Sequence, residues 1–218
     1  MAEVSMELVK TLRDRTGAGM MDCKKALEEA KGSIETAIEV LRKKGLKDLS
    51  KRSGRTSAEG VVGVYAHPGD QIVSICELNC ETDFVARNDD FKRTAKEIAM
   101  HVAALKPQYL CPEEIPAAVI EKEKEIFISQ LNDAQKSKAD KILPGKLEKF
   151  YEEVCLLNQK FVKDDTGTKT VKVVIEELGV KTGEKVVLRR FQRFEVGEGI
   201  EKKTTDYAAE VSAIVQSV

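Results

Sequence analysis

The sequence predicts an α+β fold. Three observations carry that expectation. Apolar stripes of helical spacing open the chain, two strand-like runs flank a Pro-Gly turn near its middle, and a long charged amphipathic stretch follows them. The 218 residues suffice for one or two domains. With 42% apolar and 33% charged residues, a core can form beneath a strongly solvated surface.

Residues 4–45 read as three short helices. Val4, Leu8 and Leu12 recur at i, i+4 and i+8 and share one face of the first. Thr16-Gly17-Ala18-Gly19 breaks it. The second runs from about Met20 to Ala30, with Cys23, Ala26, Leu27 and Ala30 on one face and Gly32 as its stop. Ser33 suits the N-cap of the third, which Ile34, Ile38 and Leu41 stripe and Gly45 is expected to end. So small a core implies a compact N-terminal module over 1–45 that leans on something else. Residues 46–59 are polar, hold Lys47, Lys51, Arg52 and Arg55, and read as a basic linker.

Residues 60–111 read as a core hairpin plus a helix. VVGVYA and IVSICELNC flank His67-Pro68-Gly69-Asp70, where Pro then Gly fits the central positions of a type II turn. Ile72, Cys76, Leu78 and Cys80 share one face of the second strand. A helix over about 89–105 carries Phe91, Ala95, Ile98, Ala99 and Val102. Residues 112–158 read as a helical hairpin with a polar tip, NDAQKSKAD, and Pro144-Gly145 either starts or kinks its second helix. The chain then returns to the core over 159–199. Residues 168–179 carry both a valine run and the helix ending EELG, and a helix stopped by Gly179 is the better reading. Residues 184–196 read as a strand in which Arg189, Arg190 and Arg193 interleave with Phe191 and Phe194. That pattern resembles a base-stacking surface, but an edge strand with basic rims explains it better. A C-terminal helical module over 200–218, with its helix at 205–217, completes the order.

Several function classes lack their residues. The five cysteines are widely spaced and form no C-x-x-C pair. Cys76 and Cys80, four apart on a strand, would have Cα atoms about 13 Å apart, too far for a disulfide. There are two histidines, His67 and His101, and no H-E-x-x-H, G-x-S-x-G or phosphate-loop pattern; Gly179 to Lys185 has too few residues between its glycines. Neither a metal nor a cofactor is expected, and the inventory points away from chemistry by the chain's own side chains. A cysteine-dependent enzyme built on Cys23 lacks a nearby base. Lysine plus arginine number 36 against 37 acidic residues, so bulk charge would not hold the chain on nucleic acid. The first 56 residues carry 13 basic and 9 acidic groups, a mild asymmetry that solvated helix faces explain. No apolar run approaches the length of a membrane span and the N-terminus has no apolar signal region, so a cytoplasmic protein is expected.

One corner stands apart. Thr82-Asp83-Phe84-Val85-Ala86-Arg87 lies between the second strand and the helix that begins near residue 89. Position alone leaves two readings of Phe84: it packs into the core as the helix begins, or it is an aromatic framed by polar residues at a loop tip, the usual make-up of a binding hot spot.

Three stretches together resemble the elongation factor Ts family of guanine nucleotide exchange factors. They are Leu12-Arg13 through Thr16-Gly17-Ala18-Gly19-Met20-Met21-Asp22-Cys23-Lys24-Lys25-Ala26-Leu27, then Glu81-Thr82-Asp83-Phe84-Val85-Ala86-Arg87-Asn88, then Phe194-Glu195-Val196-Gly197-Glu198-Gly199-Ile200-Glu201-Lys202. The stretches are ungapped and occur in the family's order. The resemblance implies a UBA-like three-helix module, a core with antiparallel sheet and flanking helices, a helical hairpin and a C-terminal helix. It departs from longer members in holding one core copy, so a homodimer giving a two-to-two complex is expected.

The resemblance also implies a mechanism. The partner is the GTPase elongation factor Tu, with no membrane and no direct nucleic acid involved. Thr82, Asp83, Phe84 and Val85 form the inserted element. Phe84 is the apolar wedge that displaces side chains beside the GTPase's Mg²⁺, and Asp83 places a carboxylate at the wedge base. Leu12, Met20 and Met21 form an apolar set around the Gly17–Gly19 loop, where a spare methionine can adapt to a partner helix. The competing reading is an RNA-binding or ribosome-associated adaptor, resting on the basic linker and the Arg/Phe strand; near-zero net charge opposes it.

Overall fold

The chain lays one three-stranded antiparallel sheet against a single long helix, with helical additions at both ends of that core. The structure is a computed structural model and describes residues 4–200. The C-terminal helix expected over 205–217 lies outside the described residues.

The N-terminal module is α1 (Met6–Thr16), α2 (Met20–Glu29) and α3 (Ile34–Lys51). Ser5 caps α1 by accepting from the Leu8 N–H, and Gly17 ends it with φ 68°. Val9, Leu12, Cys23, Ala26, Leu27, Ala37 and Leu41 close a small core of their own. Gly45 does not end the third helix, as the sequence suggested. The helix runs on to Lys51 and takes up the first residues assigned to the linker. Glycine inside a helix costs about 1 kcal/mol against alanine. Here it is tolerated because a Cβ at Gly45 would stand 2.7 Å from a methyl carbon of Val180.

The sheet runs β1 (Glu59–Ala66), β2 (Ile72–Cys80) and β3 (Val187–Glu195), in the order β1-β2-β3. Asp70 N–H donates to His67 C=O and Gly69 sits at φ 93°, which is the turn that Pro68-Gly69 predicts. Short α4 (Asp83–Ala86) turns the chain into α5 (Asp89–Leu105). Helix and sheet approach closely because the facing residues are small. Gly63 pairs with Cys76, the Cys76 thiol donates to Ala95 C=O at 3.2 Å, and Ser74 Oγ donates to Ala99 C=O at 2.5 Å. A Cβ on Gly63 would lie 2.3 Å from the Ala95 carbonyl oxygen. Phe91, Ile98, Val102, Leu78, Leu156 and Leu188 fill the rest of this core.

The helical hairpin is α6 (Ala117–Ser129), α7 (Asp133–Lys136) and α8 (Ala139–Val154). Pro144 therefore falls inside the second long helix and does not start it. The polar tip holds α7, closed by a capping box between Asn132 and Gln135. Behind the hairpin, His101 is buried and stacked on Phe161. Its Nδ1 accepts from the Val162 N–H at 3.1 Å, so its Nε2–H donates to Gln159 Oε1 at 3.0 Å. Next, α9 (Val171–Thr182) confirms the helical reading of the valine run but passes through Gly179. The stop is Gly183, at φ 75°. β3 is an edge strand, as expected, and its arginines serve as ion-pair donors: Arg189 and Arg190 both reach Glu77 and hold its carboxyl down to about 2. Among the described residues, no helix is long and apolar enough to cross a membrane.

Candidate functional site: an aromatic corner and a three-helix module

β2 ends in three buried residues, so the chain must turn sharply as it leaves the sheet. The turn is built by capping. Thr82 Oγ1 accepts from the Val85 N–H and begins α4, and Asn88 Oδ1 accepts from the Asp90 N–H at 2.8 Å and begins α5. Inside the one-turn helix the residues divide by role. Ala86 is buried and Val85 packs against the core, which pins the turn. Phe84 faces water and is 81% exposed. That decides between the two sequence readings, since the ring is not packed as a core residue. Asp83 is half-exposed and pairs with Arg87 at 3.0 Å, so it has a local partner one helical turn on.

The corner is bolted from behind by residues a hundred positions away. The Glu184 carboxylate accepts from the Glu81 N–H at 2.9 Å, the Thr82 N–H at 3.1 Å and Thr82 Oγ1 at 2.6 Å. Glu81 in turn accepts from the Lys185 N–H at 2.7 Å and from Arg55. These contacts, the Lys185 N–H first, hold the Glu81 carboxyl below the usual carboxylate range. Nothing in the local sequence signalled Glu184, because its partners lie far off in the chain.

In the N-terminal module, Met21 is 65% exposed and Met20 is 37% exposed. Leu12 is fully buried, so it supports the loop from inside and presents no surface. The sequence suggests that Leu12 meets the partner with Met20 and Met21 around this loop, but it shares the inner face of α1 with Val9 and is part of the module's core. The Gly17–Gly19 loop is fastened internally. Thr16 Oγ1 donates to Leu12 C=O at 2.7 Å and accepts from the Ala18 N–H at 3.3 Å.

The cysteines are free thiols. Burial pushes Cys76 up to about 12 and Cys80 up to about 11, and raises Cys23 as well. Thiolate chemistry at Cys23 has no support in that environment.

Phe84 on its pinned turn and Met20 and Met21 on the module are large apolar side chains that these two elements present to solvent, the kind of residue that protein interfaces use. The comparisons place the chain more closely. A family model described as elongation factor TS matches residues 6–198. The chain is 55% identical over 219 residues to the elongation factor Ts of Desulforamulus reducens, covering all of both chains. It is 52% identical to that of Carboxydothermus hydrogenoformans, covering 98% of each, and 53% identical to that of Thermotoga maritima, covering 91% of this chain and 99% of the other. The chain belongs to the elongation factor Ts family, the nucleotide exchange factors of translation elongation.

Proposed function

We propose that this chain promotes exchange by pressing the Phe84 corner beside the Mg²⁺ site of elongation factor Tu bearing GDP. The observation that carries the proposal is the exposure of Phe84 on a turn that is otherwise pinned. An exchange factor needs no reactive side chain. It must bind the nucleotide-free GTPase more tightly than the loaded one, and factor and nucleotide then weaken each other by the same ratio. GDP is held through its phosphates and Mg²⁺. A ring that displaces side chains beside the metal supplies the incompatibility, and Asp83 adds an acceptor at the base of the ring. Thr82 and Val85 hold that pair in place. Met20 and Met21 form the second contact, where flexible thioethers fit an apolar partner helix. GDP and GTP leave faster alike, and excess GTP sets the direction.

The test is a titration of GDP release from elongation factor Tu loaded with a fluorescent GDP, repeated at rising Mg²⁺. Mutual exclusion requires that added Mg²⁺ raise the half-saturating concentration of the factor. A half-saturation point independent of Mg²⁺ refutes the wedge.

The single core copy supports a two-to-two complex built on a homodimer of this chain. The outer face of the sheet suits that contact, with Val62, Val64, Ile75 and Phe194 exposed across all three strands. Light scattering after gel filtration should give a dimer for the wild type and a monomer for Val64→Glu. A wild-type monomer at all concentrations rules the dimer out.

A further inference from the structure

One short segment touches both the three-helix module and the strand-to-helix corner that the proposed mechanism uses. Residues Val180–Lys185 are the last turn of α9, its glycine cap and the two residues beyond. On the module side, Val180 lies against Gly45 of α3, where a Cβ would stand 2.7 Å and 2.9 Å from the two valine methyl carbons. The stem of Lys181 covers Gly17 at the end of α1; a Cβ there would lie 3.6 Å from the lysine Cγ. On the core side, Lys181 Nζ pairs with Asp90, the second residue of α5. Glu184 holds the backbone of Glu81 and Thr82 and the Thr82 hydroxyl. Lys185 Nζ donates to Ser53 C=O at 2.6 Å and Arg55 C=O at 2.9 Å, where the chain leaves α3. Gly183, in the left-handed region, makes the turn that lets Lys181 and Glu184 serve different elements.

We propose that Val180–Lys185 is a joint that fixes the aromatic corner relative to the three-helix module. Glu184 is the positioning residue for Phe84, and Lys181 is the positioning residue for the Gly17–Gly19 loop that leads into α2. The proposal rests on the reading that both elements meet the GTPase. Two contacts on one rigid body act as a bivalent ligand, in which the second engages at high effective concentration once the first is made. A change at the joint therefore lowers exchange without removing any atom that touches the partner. Glu184 takes three of the hydrogen bonds that hold the corner, so its loss loosens Thr82 while the core contacts of Val85 and Ala86 remain.

The experiment uses the full chain and elongation factor Tu carrying fluorescent GDP. Glu184→Ala should lower the maximal release rate about tenfold, the order expected when an acting group is held loosely. It should add nothing on top of Phe84→Ala, because it acts through that ring. Glu184→Gln keeps an acceptor oxygen and should recover part of the rate. Lys181→Ala should raise the half-saturating concentration about tenfold and leave the maximal rate alone. In the free chain, amide hydrogen exchange at Thr82–Val85 should quicken in Glu184→Ala while β2 stays protected. Wild-type release by Glu184→Ala, a full multiplicative loss beside Phe84→Ala, or unchanged amide exchange at the corner would each overturn the proposal. If Phe84→Ala itself releases GDP like the wild type, the reading of the corner fails. The amide exchange at Thr82–Val85 then decides alone whether the joint holds.

Discussion

Replacing Phe84 by Ala separates what the ring does for the free chain from what it does for a complex. The ring is 81% exposed, so truncation removes almost no buried surface. The free protein should keep its stability to within about 0.5 kcal/mol, as surface substitutions do. In a complex the balance differs. Burying a phenylalanine is worth about 1.5–3 kcal/mol, and central aromatic anchors commonly exceed about 2 kcal/mol on truncation. Nearly all of that surface is open to be covered, so about 2 kcal/mol is at stake. At about 1.4 kcal/mol per factor of ten, this is about 30-fold in the preference for nucleotide-free GTPase. The assay is GDP release from elongation factor Tu at sub-saturating factor, followed by fluorescence, with thermal unfolding of the variant as control. Phe84→Leu should keep part of the activity. Release that is unchanged in Phe84→Ala would refute the wedge. So would a loss of release matched by an equal loss of stability, since that would make the ring a core residue.

Three further outcomes follow from the same contacts. Met20→Ser with Met21→Ser should weaken binding of the GTPase by about 1 kcal/mol, or about fivefold, with no change in folding, read by titration calorimetry against the nucleotide-free form. Gly63→Ala should destabilise the core by about 1–3 kcal/mol through overpacking, since the new Cβ meets the Ala95 carbonyl; urea unfolding measures it, and wild-type stability would contradict the close approach of helix and sheet. Burial holds the His101 ring below the ordinary histidine value of 6.5, so the unfolded chain binds a proton that the folded chain does not. Its contribution to stability is complete above that value and is lost as pH falls toward the depressed folded one. His101→Gln should therefore flatten the fall in urea midpoint between pH 7 and pH 5.

Local patterns were readable where local physics decides them. The Pro68-Gly69 turn, the stripe of α5 and the helical character of the valine run after Thr170 all follow from short-range rules. Local rules fail where a distant residue overrules a local signal. Gly45 and Gly179 both look like helix stops, yet both lie inside helices, Gly45 because Val180 fills the space its side chain would need. Leu12 and the methionines lie close together in sequence, but helical phase sends Leu12 inward and leaves Met21 outside. Phe84 could not be resolved from position, because its exposure depends on Val85 and Ala86 taking the inward places on a single turn. Glu184 was invisible for the same kind of reason: a hydrogen bond across a hundred residues leaves no periodic trace.

The Thr82–Arg87 turn is capped, buttressed and ion-paired in the solitary chain. The entropy of shaping it is spent during folding. Encounter with the GTPase then involves no rearrangement on this side, so association should rise linearly with concentration. Any plateau in the observed rate, and any steep temperature dependence, would report the opening of the GTPase and not a hesitation of its visitor.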